Sequence, residues 1–302
     1  MTKNTLVVIV GPTAVGKTAL SIRLAKELGC AVLNADSRQV FKELNIGTAK
    51  PTEADMQGVK HYFVNDRSIT EDFSAGIFER EALVVLQREF RKQPVCIMSG
   101  GSGLYIDAVC YGLDAFPKVD KALRERLTHR LEQEGVQALY AELQQVDPAY
   151  AAMLEPTNSQ RIVRGLEVYL ASGQTYSSLR KGSSRQRDFD LYFIGLELPR
   201  DELYERINQR MDAMIAAGLF DEVRQLLPYR EKNALQTVGY QEVFLYLDGQ
   251  VDKAEAIRLL KRNSRRYAKR QLTWFKRNEQ IKWYHPQEFE GIWADLQAYL
   301  QT

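Results

Sequence analysis

Cysteine is scarce: Cys30, Cys96 and Cys110 are the only three in 302 residues, and no C-x-x-C links them. Neither a disulfide framework nor a cysteine-built zinc site is supported, and a reducing cytoplasm is the expected compartment. Histidine is equally rare. His61 is one of three and has no second ligand at helical or loop spacing, so it reads as structural rather than metal-binding. Long apolar runs are missing as well. The longest unbroken aliphatic stretch is Leu6 to Val10, far short of a membrane span, and neither a spanning segment nor an export signal is expected. The net charge is only +2, so the overall balance predicts no polyanionic partner; only the distribution of charge does. No internal repeat stands out. The hydrophobic content of 45% is ordinary for a globular chain, with material for one large domain or two.

What the chain does have begins at residues 6–18, LVVIVGPTAVGKT. Five apolar residues run into a glycine-bounded loop, then into the helical pattern of Ala19 to Leu28. This is G-x-x-x-x-G-K-[ST] between a strand and a helix, the setting that gives the motif its meaning. Gly11, Pro12, Thr13, Ala14, Val15, Gly16, Lys17 and Thr18 are therefore the expected polyphosphate site. Backbone N–H groups and the helix N-terminus form an anion nest, Lys17 adds a point charge, and the Thr18 hydroxyl is available to Mg²⁺. The loop alone does not say whether the phosphate is transferred, spent or released.

The next apolar run, Ala31 to Ala35, ends at Asp36. Strand ends of an open α/β sheet gather at the ligand crevice, which would set Asp36 beside the phosphate loop as a general base or metal-orienting carboxylate. A helix N-cap or a turn residue is the other reading. Asn45 to Pro51 is a polar turn. A short strand is expected over His61 to Val64, and a crossover helix over Phe73 to Arg91, where Phe73, Ile77, Phe78, Leu83, Leu86 and Phe90 form a stripe. A strand at Val95 to Met98 follows. It ends in Ser99-Gly100-Gly101-Ser102-Gly103, where many nucleotide hydrolases carry a Mg²⁺-orienting Asp. Glycines there allow another backbone or a planar ligand to come close, and the missing Asp weakens an ATPase reading.

From Lys118 to Leu154 the pattern turns helical, with two short amphipathic helices and a third opened by Asp147 as N-cap and Pro148. Thr157 or Asn158 caps a helix over Ser159 to Ser172, closed by Gly173, on which Arg161 and Arg164 lie one turn apart. Ser177 to Arg187 reads as a mobile loop, Leu191 to Leu198 as a strand, and Asp201 to Ala217 as a helix with Arg206 and Arg210 one turn apart. Between Glu255 and Glu279 there is no acidic residue. Arg258, Lys261, Arg262, Arg265, Arg266, Lys269, Arg270, Lys276 and Arg277 accumulate there on a helix whose inner face is Ile257, Leu260, Ser264, Ala268, Leu272 and Phe275. One apolar and one densely basic face fit a nucleic-acid backbone. The expected fold is α/β: a P-loop NTPase-like parallel sheet flanked by helices, with a small all-helical insertion domain. Residues 1–117 and 156–302 form the core with its basic C-terminal helices, and residues 118–155 form the insertion.

Seven motifs in one order, GPTAVGKT at 11–18, ADSRQVF at 35–41, IGTAKP at 46–51, GGSGLY at 100–105, NSQRIVRGLEVY at 158–169, TVGYQEV at 237–243 and RRYAKRQLTWF at 265–275, resemble those of the bacterial tRNA dimethylallyltransferases, also called tRNA isopentenyltransferases. The family more often has Thr where Ser102 stands, Tyr at Phe41 and His-His at His61-Tyr62. The zinc finger of its eukaryotic members is missing. The resemblance implies transfer of a dimethylallyl group from dimethylallyl diphosphate to N6 of adenosine 37 of tRNA, releasing diphosphate, with Mg²⁺ as cofactor. It further implies a cytoplasmic monomer with no obligate protein partner. In that reading Asp36 is the base, and Lys17, Thr18 and Arg210 meet the leaving group, with Arg206 as second choice. Contacts to tRNA fall to Asp36, Ser37, Arg38, Gln39, Ser102, Arg124, Gln160, Arg161, Ile162, Val163, Arg164, Gly239, Tyr240 and Gln241. The residues alone also admit a P-loop small-molecule kinase, which leaves the basic helix unexplained. A nucleotide-gated RNA-binding protein is a third reading, disfavoured by the missing hydrolase-type Asp.

Overall fold

The computed structural model describes residues 3–182 and 185–301. Two compact units make up the chain: one holds the residues up to Cys110 and from Arg187 onward, the other is Tyr111–Gln186. The first unit is built on a six-stranded, wholly parallel sheet in the order β3-β2-β4-β1-β5-β6. The strands are β1 (Thr5–Val10), β2 (Val32–Asn34), β3 (His61–Tyr62), β4 (Val95–Ser99), β5 (Asp190–Leu196) and β6 (Lys282–Tyr284).

The apolar run of β1 is central because every one of its residues is buried, as a parallel strand covered on both faces requires. Its register sets Leu6 beside Cys96 on one side and Leu191 on the other. The carboxyl ends of β1, β2 and β4 therefore open on one edge, and Asn34 pairs with Ser99 just before Asp36 and Gly100. Two glycines are dictated by this crowding. A Cβ on Gly100 would lie 2.2 Å from the Ala35 carbonyl oxygen, and one on Gly11 would lie 2.5 Å from that of Leu196. The glycine-rich end of β4 thus admits a neighbouring backbone, one of the two expected uses.

The expected strands and crossover helix form, the helix as Ala75–Glu89 with the Ser74 hydroxyl accepting the Ile77 N–H. Phe78 packs edge-on against Phe63. His61 is tied to the Val59 carbonyl at 2.9 Å, and Tyr62 donates to Glu89 at 2.6 Å, both structural contacts. Strand β6 has no counterpart in the sequence reading: three residues at a sheet edge are too short to show a period.

In the second unit, the helical run Lys121–Val146 is broken at Gly135 (φ 80°, ψ 165°), giving the two expected helices. Asp147 caps Pro148–Ala151, and Asn158 caps Ser159–Ser172, which ends on Gly173 in the left-handed region. The core joins Leu127, Leu139 and Leu143 to Tyr150, Leu154, Ile162 and Leu166. The helix Ser159–Ser172 thus belongs to this compact unit, which runs to Gln186 rather than ending at 155. Two amphipathic helices leave an apolar stripe that a third must cover, and Gly165 permits the approach, since a Cβ there would meet Leu143 at 2.8 Å. The segment read as a loop over Ser177 to Arg187 starts inside a short helix, Tyr176–Leu179, pinned where Asp147 accepts both the Ser177 N–H and hydroxyl. Ser183 and Ser184 lie outside the described residues.

Candidate active site

The phosphate loop leaves β1 through Gly11 (φ 147°) and enters the helix Lys17–Leu28 through Gly16 (φ 109°), both conformations that favour glycine. Lys17 Nζ donates to the carbonyls of Gly11 at 3.0 Å and Pro12 at 2.7 Å, which holds the ammonium across the mouth of the loop. Thr13, Ala14, Gly16, Lys17 and Thr18 line a cavity of about 1080 Å³.

Asp36 lines the same cavity. Its Oδ1 accepts the N–H of Arg38 at 2.8 Å and of Gln39 at 3.2 Å, so the turn role is real. Oδ2 accepts no hydrogen bond among the described residues, which leaves the carboxylate capable of chemistry as well. Ser102 is half-buried and makes a contact within the protein. Its hydroxyl accepts the Ser37 N–H at 3.0 Å, binding the turn after β4 to the turn after β2. Gln39 lines the cavity while its amide donates to the Thr48 and Ala49 carbonyls and accepts from Asn34, a brace for the 45–50 turn.

The helix Arg200–Ala216 separates its two arginines. Arg206 pairs with Glu202 at 2.9 Å on its own helix, whereas Arg210 lines the cavity with Met211 and Met214. Burial and then the Arg210 guanidinium pull Lys17 down to about 7, while Asp36 pushes the other way. Arg210 is itself lowered by burial and favoured in its charged form by Asp36. Two cations and one carboxylate therefore feel one another inside a single cavity, an arrangement suited to an anion that bears more than one negative charge.

The far wall depends on two carboxylates that sequence reasoning missed. Glu222 accepts the N–H groups of Asn45, Ile46 and Gly47 at 3.1, 2.7 and 2.9 Å, together with the Tyr240 hydroxyl at 2.7 Å. Glu242 accepts the Gly239 N–H at 2.8 Å and the Asn263 amide at 2.7 Å. Gly239 lines the cavity, but Tyr240 is wholly buried, so its side chain supports the wall and presents nothing to a ligand. Gln241 bonds to Gln236 at 2.9 Å.

Along the helix Lys253–Phe275 the buried face runs through Ala256, Leu260, Ser264, Ala268, Gln271 and Phe275, with Ala256 and Gln271 in place of the expected Ile257 and Leu272. Ser264, Tyr267 and Gln271 line the cavity. Tyr267 is pushed up to about 12, by burial first and Asp36 second. Several basic residues are already paired: Arg258 with Glu255, Lys261 with Asp212 and Lys276 with Glu197. Arg266, Lys269 and Arg270 are exposed.

Arg124 and Arg164 belong to the second unit and share the buried Glu167, at 2.8 and 3.0 Å. Gln160 and Arg161 are exposed. Val163 is half-buried, and Ile162 is fully buried in that unit's core, so its side chain offers no surface to RNA. The signal for Ile162 was present in the sequence as an apolar residue on the inner stripe of its helix. Glu222 lies outside every quoted motif, and Glu242 and Gln271 lie inside TVGYQEV and RRYAKRQLTWF without being singled out; the partners of Glu222 and Gln271 stand far away in sequence, where no local pattern reaches.

Among the described residues no helix is long and apolar enough to cross a membrane. The sequence model of the IPP transferase family matches residues 39–278. A tRNA dimethylallyltransferase of Cytophaga hutchinsonii is 52% identical over 98% of this chain and 97% of its own length. The crystal structure of the full-length tRNA isopentenylpyrophosphate transferase of Bacillus halodurans is 38% identical, with a TM-score of 0.73 over 99% of this chain and 97% of that one. A eukaryotic dimethylallyltransferase, captured crystallographically acting on tRNA, aligns at 28% identity and a TM-score of 0.73 over 90% of this chain and 70% of its own. None of these relatives is a small-molecule kinase. With the phosphate loop, the parallel sheet and the shared cavity in hand, these matches show that the chain belongs to the IPP transferase family, the tRNA dimethylallyltransferases.

Proposed function

We propose that this chain transfers a dimethylallyl group from dimethylallyl diphosphate to the exocyclic N6 of adenosine 37 of tRNA and releases diphosphate. The observation that carries the reading is that Asp36, Lys17 and Arg210 line one cavity together with the phosphate loop. An adenine N6 amine is a weak nucleophile because its lone pair is delocalised into the ring. As N6 bonds to the allylic carbon, the carbon–oxygen bond to diphosphate breaks and the N6 proton moves to Asp36 Oδ2. The two backbone N–H groups on Oδ1 aim the carboxylate for that step. Charge growing on the leaving diphosphate is met by the loop amides, Lys17 and Arg210.

The site suits Mg²⁺, because the hydroxyl of Thr18 is a hard oxygen donor on the cavity beside the phosphate loop, and Mg²⁺ commonly takes only one or two protein oxygens beside substrate phosphates. When bound there it would neutralise diphosphate oxygens. A stacked adenine must be turned out of its loop before reaching Asp36, and the exposed Arg266, Lys269 and Arg270 and, on the second unit, Gln160 and Arg161 are the proposed tRNA contacts. The chain acts as a cytoplasmic monomer, with every proposed reacting group supplied by one copy.

The test is mass spectrometry of an anticodon stem-loop RNA incubated with the protein, Mg²⁺ and dimethylallyl diphosphate. A five-carbon adduct on the adenosine 3′ of the anticodon is the expected product. An unmodified RNA, with ATP consumed on a metabolite instead, overturns the reading.

A further inference from the structure

Gln271 stands among arginines and lysines, yet it is 6% exposed and belongs to the buried face of its helix. Its Oε1 accepts the Thr13 N–H at 2.8 Å, and its Nε2 donates to the Gly101 carbonyl at 3.0 Å. One amide thereby joins the phosphate loop after β1 to the turn after β4, using both of its hydrogen-bonding ends. The fit leaves no slack: a Cβ on Gly101 would lie 2.2 Å from Gln271 Nε2. Beyond Gly101 the same turn carries Ser102, whose hydroxyl holds Ser37 next to Asp36.

Thr13 lies inside the phosphate-loop motif, immediately before the amides of Ala14 to Thr18, so its pair with Gln271 anchors the loop backbone where it begins to turn around a ligand. An amide bonded at 2.8 Å to a buried side-chain oxygen is not free for a phosphate unless that pair breaks. We infer that Gln271 is a positioning residue for the diphosphate. Through the Thr13 amide and the Gly101 carbonyl it fixes the loop against the turn after β4 and so sets the amides from Ala14 to Thr18 to hold phosphate oxygens. The inference rests on reading this loop as the diphosphate site. Its consequence is that a residue on the basic helix governs the small substrate, while its exposed neighbours govern the RNA.

Gln271→Met keeps the length of the side chain and removes both hydrogen bonds. Expected is a rise in KM for dimethylallyl diphosphate on the order of tenfold, with kcat at saturation and the stem-loop Kd both within about twofold of the parent. Lys269→Gln, two positions away on the exposed face, should do the reverse: weaker stem-loop binding and an unchanged diphosphate KM. Gly101→Ala, which pushes on Nε2 from the other side, should reproduce the Gln271→Met pattern and stands in if that variant does not fold. An unchanged or lowered diphosphate KM in both variants, or a loss confined to RNA affinity, overturns the inference. Should the parent protein make no adduct, the same comparison read as the Kd of inorganic pyrophosphate by calorimetry decides the role of Gln271 independently of the reaction.

Discussion

The Tyr240 hydroxyl donates to the Glu222 carboxylate at 2.7 Å, and that carboxylate also gathers three consecutive N–H groups of the 45–47 turn. A Cβ on Gly47 would meet the Tyr240 ring at 2.6 Å, so ring, carboxylate and turn form one tight unit behind the cavity wall. Glu222→Ala leaves these donors without their acceptor and should lower stability by about 2–3 kcal/mol, with kcat/KM falling as the 47–50 wall loosens. Tyr240→Phe should cost about 1 kcal/mol. Chemical denaturation of both single variants and the double variant checks this. Additive losses would show that the two residues act independently.

Asp36 combines a turn role and a chemical role, and one substitution separates them. Asp36→Asn retains an oxygen for the Arg38 and Gln39 N–H groups but cannot take a proton at neutral pH. The variant should melt like the parent, bind pyrophosphate, and lose on the order of 10²–10⁴-fold in turnover. Single-turnover adduct formation followed by mass spectrometry is the readout. Turnover near that of the parent would remove Asp36 as base.

Arg210 and Arg206 sit one turn apart on one helix, but only Arg210 shares the cavity with Lys17 and Asp36. Arg210→Gln should lower kcat/KM on the order of 10²-fold through lost stabilisation of leaving-group charge. Arg206→Gln breaks only a half-exposed pair with Glu202 and should stay within about twofold. Steady-state kinetics with dimethylallyl diphosphate as the varied substrate separates the two, and equal losses would contradict this assignment.

Burial, and Arg210 after it, set Lys17 near 7. A bound diphosphate favours the charged ammonium and raises that value. Above pH of about 7 the free protein holds Lys17 largely neutral, so binding takes up a proton and apparent affinity falls as pH rises through this window. Calorimetry with pyrophosphate near pH ~8.5, in two buffers of different ionisation enthalpy, reads the uptake as a buffer-dependent enthalpy. Lys17→Met should lack it, and titration of the ligand itself cancels in the comparison. The same proton uptake in both proteins would assign the proton to another group.

Much of the molecule is legible from local pattern. The strand, loop and helix of residues 6–28 are contiguous, so spacing suffices to state the anion site. Helical period exposes the crossover helix, the two segments around Gly135 and the two-faced basic helix, because each apolar stripe repeats within a few turns. The basic cluster is likewise a local count. Motif order along the chain carries the family, which the matches over residues 39–278 bear out.

Sequence by itself therefore determined the phosphate loop, the main strands and helices, and the family. Tertiary structure decided which side chains meet. Arg206 and Arg210 are equivalent in helical pattern, and only the packing of their helix turns one toward Asp36. Ile162 and Tyr240 fall inside motifs that suggest RNA contact, but packing buries both. Gln271 reaches Thr13 across 258 positions, and Glu222 reaches Ile46 across 176. Periodicity tells which face of an element is apolar. It carries no information on how elements hundreds of residues apart are set against one another, and hydrogen bonds of about 3 Å depend on that setting.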